Sequence, residues 1–108
     1  MARRIARGDV WLVRFGRPDK RRPVVVIGRP DALAVMDTAI VAPITSTIRE
    51  IASQVRLGVE HGMKAPCTVS LDHVQIVRQE DLRTWVTTLG PEVMAAICRA
   101  LAVATACS

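Results

Sequence analysis

Residues 23–28, Pro-Val-Val-Val-Ile-Gly, put four consecutive β-branched residues between a proline and a glycine. Branching at Cβ restricts χ1 against a preceding helical turn, so such a run suits a strand buried on both faces. The proline fits only at the entry of that strand, where its missing N–H costs no ladder bond. Three cations, Lys20, Arg21 and Arg22, stand directly before it. A buried strand therefore starts beneath a fixed cluster of positive charge.

Further β signals surround this one. "DVWLVRF", residues 9–15, follows Gly8 and alternates, with Trp11, Val13 and Phe15 on one face and Val10 and Leu12 on the other. "GRPDKR", 16–21, has turn chemistry and joins the two strands. "AIVAPITS", 39–46, predicts another strand, in which Pro43 calls for a bulge, an edge or a bend. "SQVRLGV", 53–59, alternates weakly, "EHGMKAP" is a turn-rich connection, and "CTVSLDHVQIV" predicts one long strand over 67–77. A short helical turn or tight connection in "RQEDLRT" leads to the last strand, "TWVTTLG", 84–90.

From Pro91 the period changes to a helical one. Pro91 suits a first helical position, Glu92 favours the N-terminal dipole, and Val93, Ile97, Leu101 and Ala104 form one stripe flanked by Met94 and Ala100. The alanine-rich remainder suits either packing on both the sheet and a partner chain, or burial of one face with harmless exposed alanines. Five or six short strands and one terminal helix in 108 residues predict a mainly β chain with α: a small SH3-like β-barrel with a C-terminal α-helix, one domain spanning 1–108.

The formal charge of +5 and a pI near 10.1 favour a polyanionic partner, nucleic acid first, although solubility alone explains many basic surfaces. Phe15, Trp11 and Trp85 are the only aromatics, so bound RNA would be held mainly by charge and backbone groups. Three widely spaced cysteines, Cys67, Cys98 and Cys107, suit neither a disulfide framework nor a zinc site, which points to a reduced, cytoplasmic chain. "MARRIARGD" lacks a following apolar segment and no apolar run reaches the ~18 residues of a membrane span, so neither export nor a membrane partner is expected.

Glycine-rich phosphate loops, paired-cysteine or His-x-x-x-His spacings and G-x-S-x-G elbows are missing, and no metal or cofactor is expected. His61 falls in a turn-like stretch and is expected to face solvent. His73 is placed mid-strand beside Asp72, open to a structural hydrogen bond or to acid–base work. Cys98 on the helix is expected to pack as a small hydrophobe.

Two polar clusters border apolar strands: Lys20, Arg21 and Arg22 before "PVVVI", and Thr45, Ser46 and Thr47 after "IVAPI". If these strands are neighbours, an arginine that grips phosphate bidentately and a hydroxyl that donates to a phosphate oxygen meet at one rim. Ordinary basic loops and threonine-rich strand ends would look the same.

Taken together, Arg7-Gly8-Asp9-Val10-Trp11, the Arg22-to-Val26 strand and the Val41-to-Thr45 strand end, followed by "CTVSLDHVQIV" and a terminal apolar helix, resemble the MazF/PemK family of toxin endoribonucleases across almost the whole chain. The resemblance implies a homodimer of MazF-like barrels that cuts single-stranded mRNA at short sequence motifs without a metal, and that a cognate MazE-like antitoxin neutralises through an acidic, disordered segment. It assigns catalysis to Arg22 and Thr45. Arg22 would meet the scissile phosphate, stabilise the pentavalent species and exchange a proton during attack by the RNA's own 2′-hydroxyl; Thr45 would bind a non-bridging oxygen or orient that hydroxyl. Asp72 and His73 match an acidic-then-polar pair that contacts bases, with His73 replacing the usual amide. The first loop is shorter than in many relatives, and Arg17, Lys20 and Arg21 are read as compensating phosphate contacts, with Ser46 and Thr47 beside them. Two other functions compete: a CcdB-like toxin acting on DNA gyrase through its terminal helix, and a barrel that binds RNA without cutting it.

Overall fold

A computed structural model describes residues 4–14 and 21–107. Seven strands, β1 (Asp9–Arg14), β2 (Arg21–Val26), β3 (Thr38–Thr45), β4 (Gln54–Leu57), β5 (Cys67–Ser70), β6 (Gln75–Arg78) and β7 (Leu82–Thr88), accompany two helices, α1 (Pro30–Val35) and α2 (Pro91–Thr105). All pairings are antiparallel, in the order β4-β5-β3-β2-β1-β7, with β6 also on β3. The architecture is the expected one, mainly β with a C-terminal helix, and the hydrogen-bonded path through the described strands runs from β4 to β7 without closing on itself.

Alternation along the strands separates two apolar clusters. Val10, Val25, Ala42, Ile44, Leu57 and Val69 face α2, whose stripe of Val93, Ile97, Leu101 and Ala104 packs on them as the helical period predicts. Trp11, Val13, Val24, Val26 and Val41 fill the other cluster with Leu33 of α1. Both sides of β2 are thus covered, which is why its sequence shows no polar alternation.

The opening Arg7-Gly8-Asp9 motif is structural. Gly8 adopts a φ of 93°, donates its N–H to Val26 O at 2.8 Å and accepts from Leu89 N–H at 2.9 Å, tying β2 to the end of β7. Asp9 is fully buried; its carboxylate accepts from Ala6 N–H (2.9 Å), Trp11 Nε1 (3.2 Å) and Thr88 Oγ1 (2.7 Å). Arg7 donates to Ile27 O and, at 3.1 Å, to Cys98 Sγ.

Three expectations need correction. The segment 67–77 is not one strand: β5 ends at Ser70, a 3-10 turn spans Leu71–His73, and β6 starts at Gln75. All four residues of β5 are buried, so the period-2 signal was never a one-face pattern, and Leu71 N–H turns aside to Ser53 O at 3.0 Å. His61 is half-buried, and its Nδ1 accepts Gly58 N–H at 3.0 Å. Cys98 is exposed rather than packed. The short helix α1 was not foreseen; Pro30 stands at its start, Asp31 Oδ1 accepts Ala32 N–H, and Gln79 Nε2 holds it to β3 through the carbonyls of Leu33, Met36 and Thr38.

Pairing between β2 and β3 runs from Val26 opposite Val41 to Val24 opposite Pro43 and stops there. Pro23 comes next on β2, opposite Leu12 of β1. Neither proline can donate a ladder hydrogen bond. Two prolines therefore sit where β2 and β3 stop pairing with each other, while β2 continues on β1 and β3 continues on β5.

Candidate functional site

An open groove of about 720 Å3 lies where β2 and β3 stop pairing. Leu12, Pro23, Ile44, Cys67 and Val86 give it an apolar floor; Arg22, Thr45 and Ser46 stand on one rim, and the segment Gly62–Pro66 forms the other. Continuing the β2–β3 register two residues past its last pair sets Arg22 opposite Thr45. The arginine and the threonine foreseen at neighbouring strand ends thus border one cavity.

Arg22 is exposed and belongs to no ion pair among the described residues. Its position is set by Pro23, which fixes φ, and by Val24–Val26, which are fully buried. Thr45 is half-buried; its Oγ1 accepts the backbone N–H of Thr47 at 3.1 Å, which leaves its own proton available to an acceptor in the groove. A guanidinium and a hydroxyl with unspent donors above an apolar floor offer the groups that recognition of a phosphodiester flanked by bases would use.

The remaining sequence-derived residues divide. Ser46 lines the groove, whereas Thr47 is exposed beside it and contributes the backbone bond to Thr45. Arg21 lies in an adjoining recess that shares Leu12 with the groove. Asp72 and His73 are exposed and do not line the groove; they occupy the 3-10 turn rather than a strand. There Ser53 Oγ donates to Asp72 Oδ2 at 2.5 Å, and Ser70 Oγ shares a 2.7 Å hydrogen bond with His73 Nδ1. Two buried serines therefore hold an exposed acid and an exposed imidazole in fixed places. Arg17 and Lys20 fall outside the described residues.

The far wall escaped the sequence reading. Met63, Lys64 and Pro66 come from "EHGMKAP", which reads only as a connection. Gly62 places this wall: its φ is 90°, and a Cβ there would meet Thr87 Oγ1 at 2.6 Å. Burial pushes the Cys67 thiol on the groove floor above its ordinary range. Among the described residues, no three His, Cys, Asp or Glu side chains group as a metal site, and no helix is long and apolar enough to cross a membrane.

A family model described as PemK-like, MazF-like toxin of type II toxin-antitoxin system matches residues 6–105. The chain is 42% identical over 106 residues to the probable endoribonuclease MazF5 of Mycobacterium tuberculosis, covering 95% of this chain and 94% of that one. The endoribonuclease MazF3 of the same species is 33% identical over 70 residues, 65% of this chain and 68% of the relative. Among solved structures, the Mycobacterium tuberculosis toxin MazF-mt6 superposes with a TM-score of 0.82 at 28% identity, covering 91% of this chain and 96% of that one. The fold is also that of a MazE-MazF crystal structure from Deinococcus radiodurans, with a TM-score of 0.82 at 18% identity over 99% of this chain and 100% of that one.

Proposed function

This chain belongs to the PemK-like, MazF-like toxin family of type II toxin-antitoxin systems, and we propose that it is an endoribonuclease that cuts single-stranded mRNA. The observation that carries the mechanism is the placement of Arg22 and Thr45 on one rim of the open groove. In the proposed reaction the RNA's 2′-oxygen attacks the adjacent phosphorus as its proton passes to solvent water in the open groove. The bond to the 5′-oxygen breaks, that oxygen takes up a proton, and a 2′,3′-cyclic phosphate and a 5′-hydroxyl result. Arg22 offers two N–H donors and full charge to the oxygens of the pentavalent phosphorane, where negative charge develops. Thr45 donates its free hydroxyl proton to a non-bridging oxygen.

Asp72 and His73, held by Ser53 and Ser70, present an acceptor and an imidazole for bases, so they are assigned to sequence choice rather than to bond cleavage. Ser46 and Thr47 on the Thr45 rim, and Arg21, Arg17 and Lys20 toward the first loop, are assigned to the RNA backbone. The protein acts as a homodimer in the cytoplasm, and a MazE-like antitoxin blocks it by laying an acidic segment over the basic rim, since a chain of charge +5 is readily occupied by carboxylates.

The test is incubation with a long single-stranded RNA in EDTA beside Arg22→Ala and Thr45→Ala, with the ends mapped. Discrete cuts with cyclic phosphate ends, absent in both variants, are expected. RNA bound but uncut by the wild type would leave a binding module. Neither binding nor cutting, with toxicity abolished by changes on α2, would make it a gyrase-directed toxin.

A further inference from the structure

We propose that Arg14, Arg21 and Arg83 form a second phosphate site, gripping an RNA backbone phosphodiester next along the strand from the one at Arg22 and Thr45. The proposal rests on the ribonuclease reading above and extends its substrate path.

Arg14 and Arg21 are direct register partners at the end of the β1–β2 ladder. Like charges placed opposite each other in an antiparallel pair are destabilising. Nothing among the described residues relieves this pair: the ion pairs there join Arg29 to Asp31, Arg56 to Glu50 and Arg78 to Glu80. Asp81 borders a separate recess with Arg14 but makes no ion pair with it. A third guanidinium, Arg83 of β7, joins them around a recess of about 280 Å3, with Thr84 offering a hydroxyl. Three exposed cations around one polar hollow repel one another modestly through water, and an anion they can share turns that repulsion into attraction.

The recess is also in the right place. Residues two apart on a strand share a face, so Leu12 and Arg14 on β1, and Pro23 and Arg21 on β2, lie on one surface. Leu12 lines both the groove and the recess, and Pro23 lines the groove. The apolar floor of the groove therefore runs directly into the arginines. A strand lying along that floor with a phosphate at Arg22 carries its neighbouring phosphate toward them. Planar guanidinium forks match phosphate oxygens bidentately, which suits the recess to a phosphodiester.

The experiment compares wild type with an Arg14→Gln/Arg83→Gln double variant, both outside the Arg22–Thr45 pair. The probe is a fluorescein-labelled single-stranded DNA, which keeps the phosphates but lacks the 2′-hydroxyl and is not cut. Anisotropy is read in EDTA across a potassium chloride series. Loss of one phosphate contact should weaken binding about tenfold at low salt and reduce the slope of log K against log salt by about 0.7. With RNA as substrate, KM should rise while kcat and the cut positions stay unchanged. Melting temperature should hold or rise, because the opposed arginines are gone. An unchanged slope and KM beside intact RNA cutting overturn the second site alone. A lost slope with RNA left uncut by wild type overturns the ribonuclease reading while the phosphate site stands. Unchanged DNA binding with lost affinity for polyglutamate would make the recess a dock for an acidic protein segment and overturn the proposal.

Discussion

The backbone N–H of Thr47 donates to Thr45 Oγ1 at 3.1 Å, so the hydroxyl accepts from the chain and keeps its own proton to donate. Substituting Thr45→Ala removes the donor without exposing a buried partner, so cleavage should fall about 100-fold with folding intact. Thr45→Ser keeps both bonds and should retain most activity, and Thr45→Val should behave as alanine does. Single-turnover RNA cleavage in EDTA, beside circular dichroism, checks all three.

Charge at Arg22 is not expected to be enough. Lysine in its place keeps the cation but loses the planar fork, so Arg22→Lys should lower kcat about 100-fold while changing RNA affinity little. A loss of RNA affinity with kcat unchanged would assign Arg22 to binding alone.

Asp9 is expected to matter for stability rather than catalysis. Its carboxylate takes the N–H of Ala6, the indole of Trp11 and the hydroxyl of Thr88, all at a fully buried site. Asp9→Ala strands these donors and should cost about 3 kcal/mol in urea unfolding. RNA cut positions should not move in the fraction that remains folded.

The far wall of the groove offers another test. Gly62→Ala forces a side chain into a left-handed conformation and toward Thr87, whose Oγ1 and Cβ would lie 2.6 Å and 2.8 Å away. A loss of about 2 kcal/mol is expected. Adding Thr87→Ala should recover only part of it, because the Thr87 Cβ position stays occupied; a double-mutant cycle reads the coupling.

Thiol chemistry separates the three cysteines. Cys98 and Cys107 are exposed, whereas burial raises the Cys67 thiol and holds it protonated at neutral pH. A maleimide should label two thiols per folded chain at pH 7 and three after unfolding. Since ionisation of Cys67 is easier in the unfolded chain, its contribution to stability is present at neutral pH and is lost as pH rises through the alkaline thiol range.

The sequence was most legible where one period governed a segment. Trp11 and Val13 against Val10 declared β1, the Val24–Ile27 run declared a doubly covered strand, and the Val93-Ile97-Leu101 stripe declared α2. It misled where side chains overrode the period: Ser53 and Ser70 capture Asp72 and His73 and break 67–77, although the letters alternate well. The two polar clusters could be placed because one opens and the other ends a recognisable strand, and the family resemblance then singled out Arg22 and Thr45 within them. Lys64, on the loop between β4 and β5, and the grouping of Arg14 and Arg83 with Arg21 could not, because which distant residues they meet is set by the three-dimensional pairing of strands, which no local pattern encodes.

Pro23 and Pro43 carry one more consequence. Pro23 and Pro43 remove two ladder donors where the β2–β3 pairing ends, and the mouth bordered by Arg22 and Thr45 stands open in this structure with no segment drawn across it among the described residues. An inhibitor that meets an open mouth must occupy it or lie across it. Competence then returns as soon as the inhibitor leaves, with no reclosing or refolding step to wait for, and the lag before attack is the inhibitor's residence time alone.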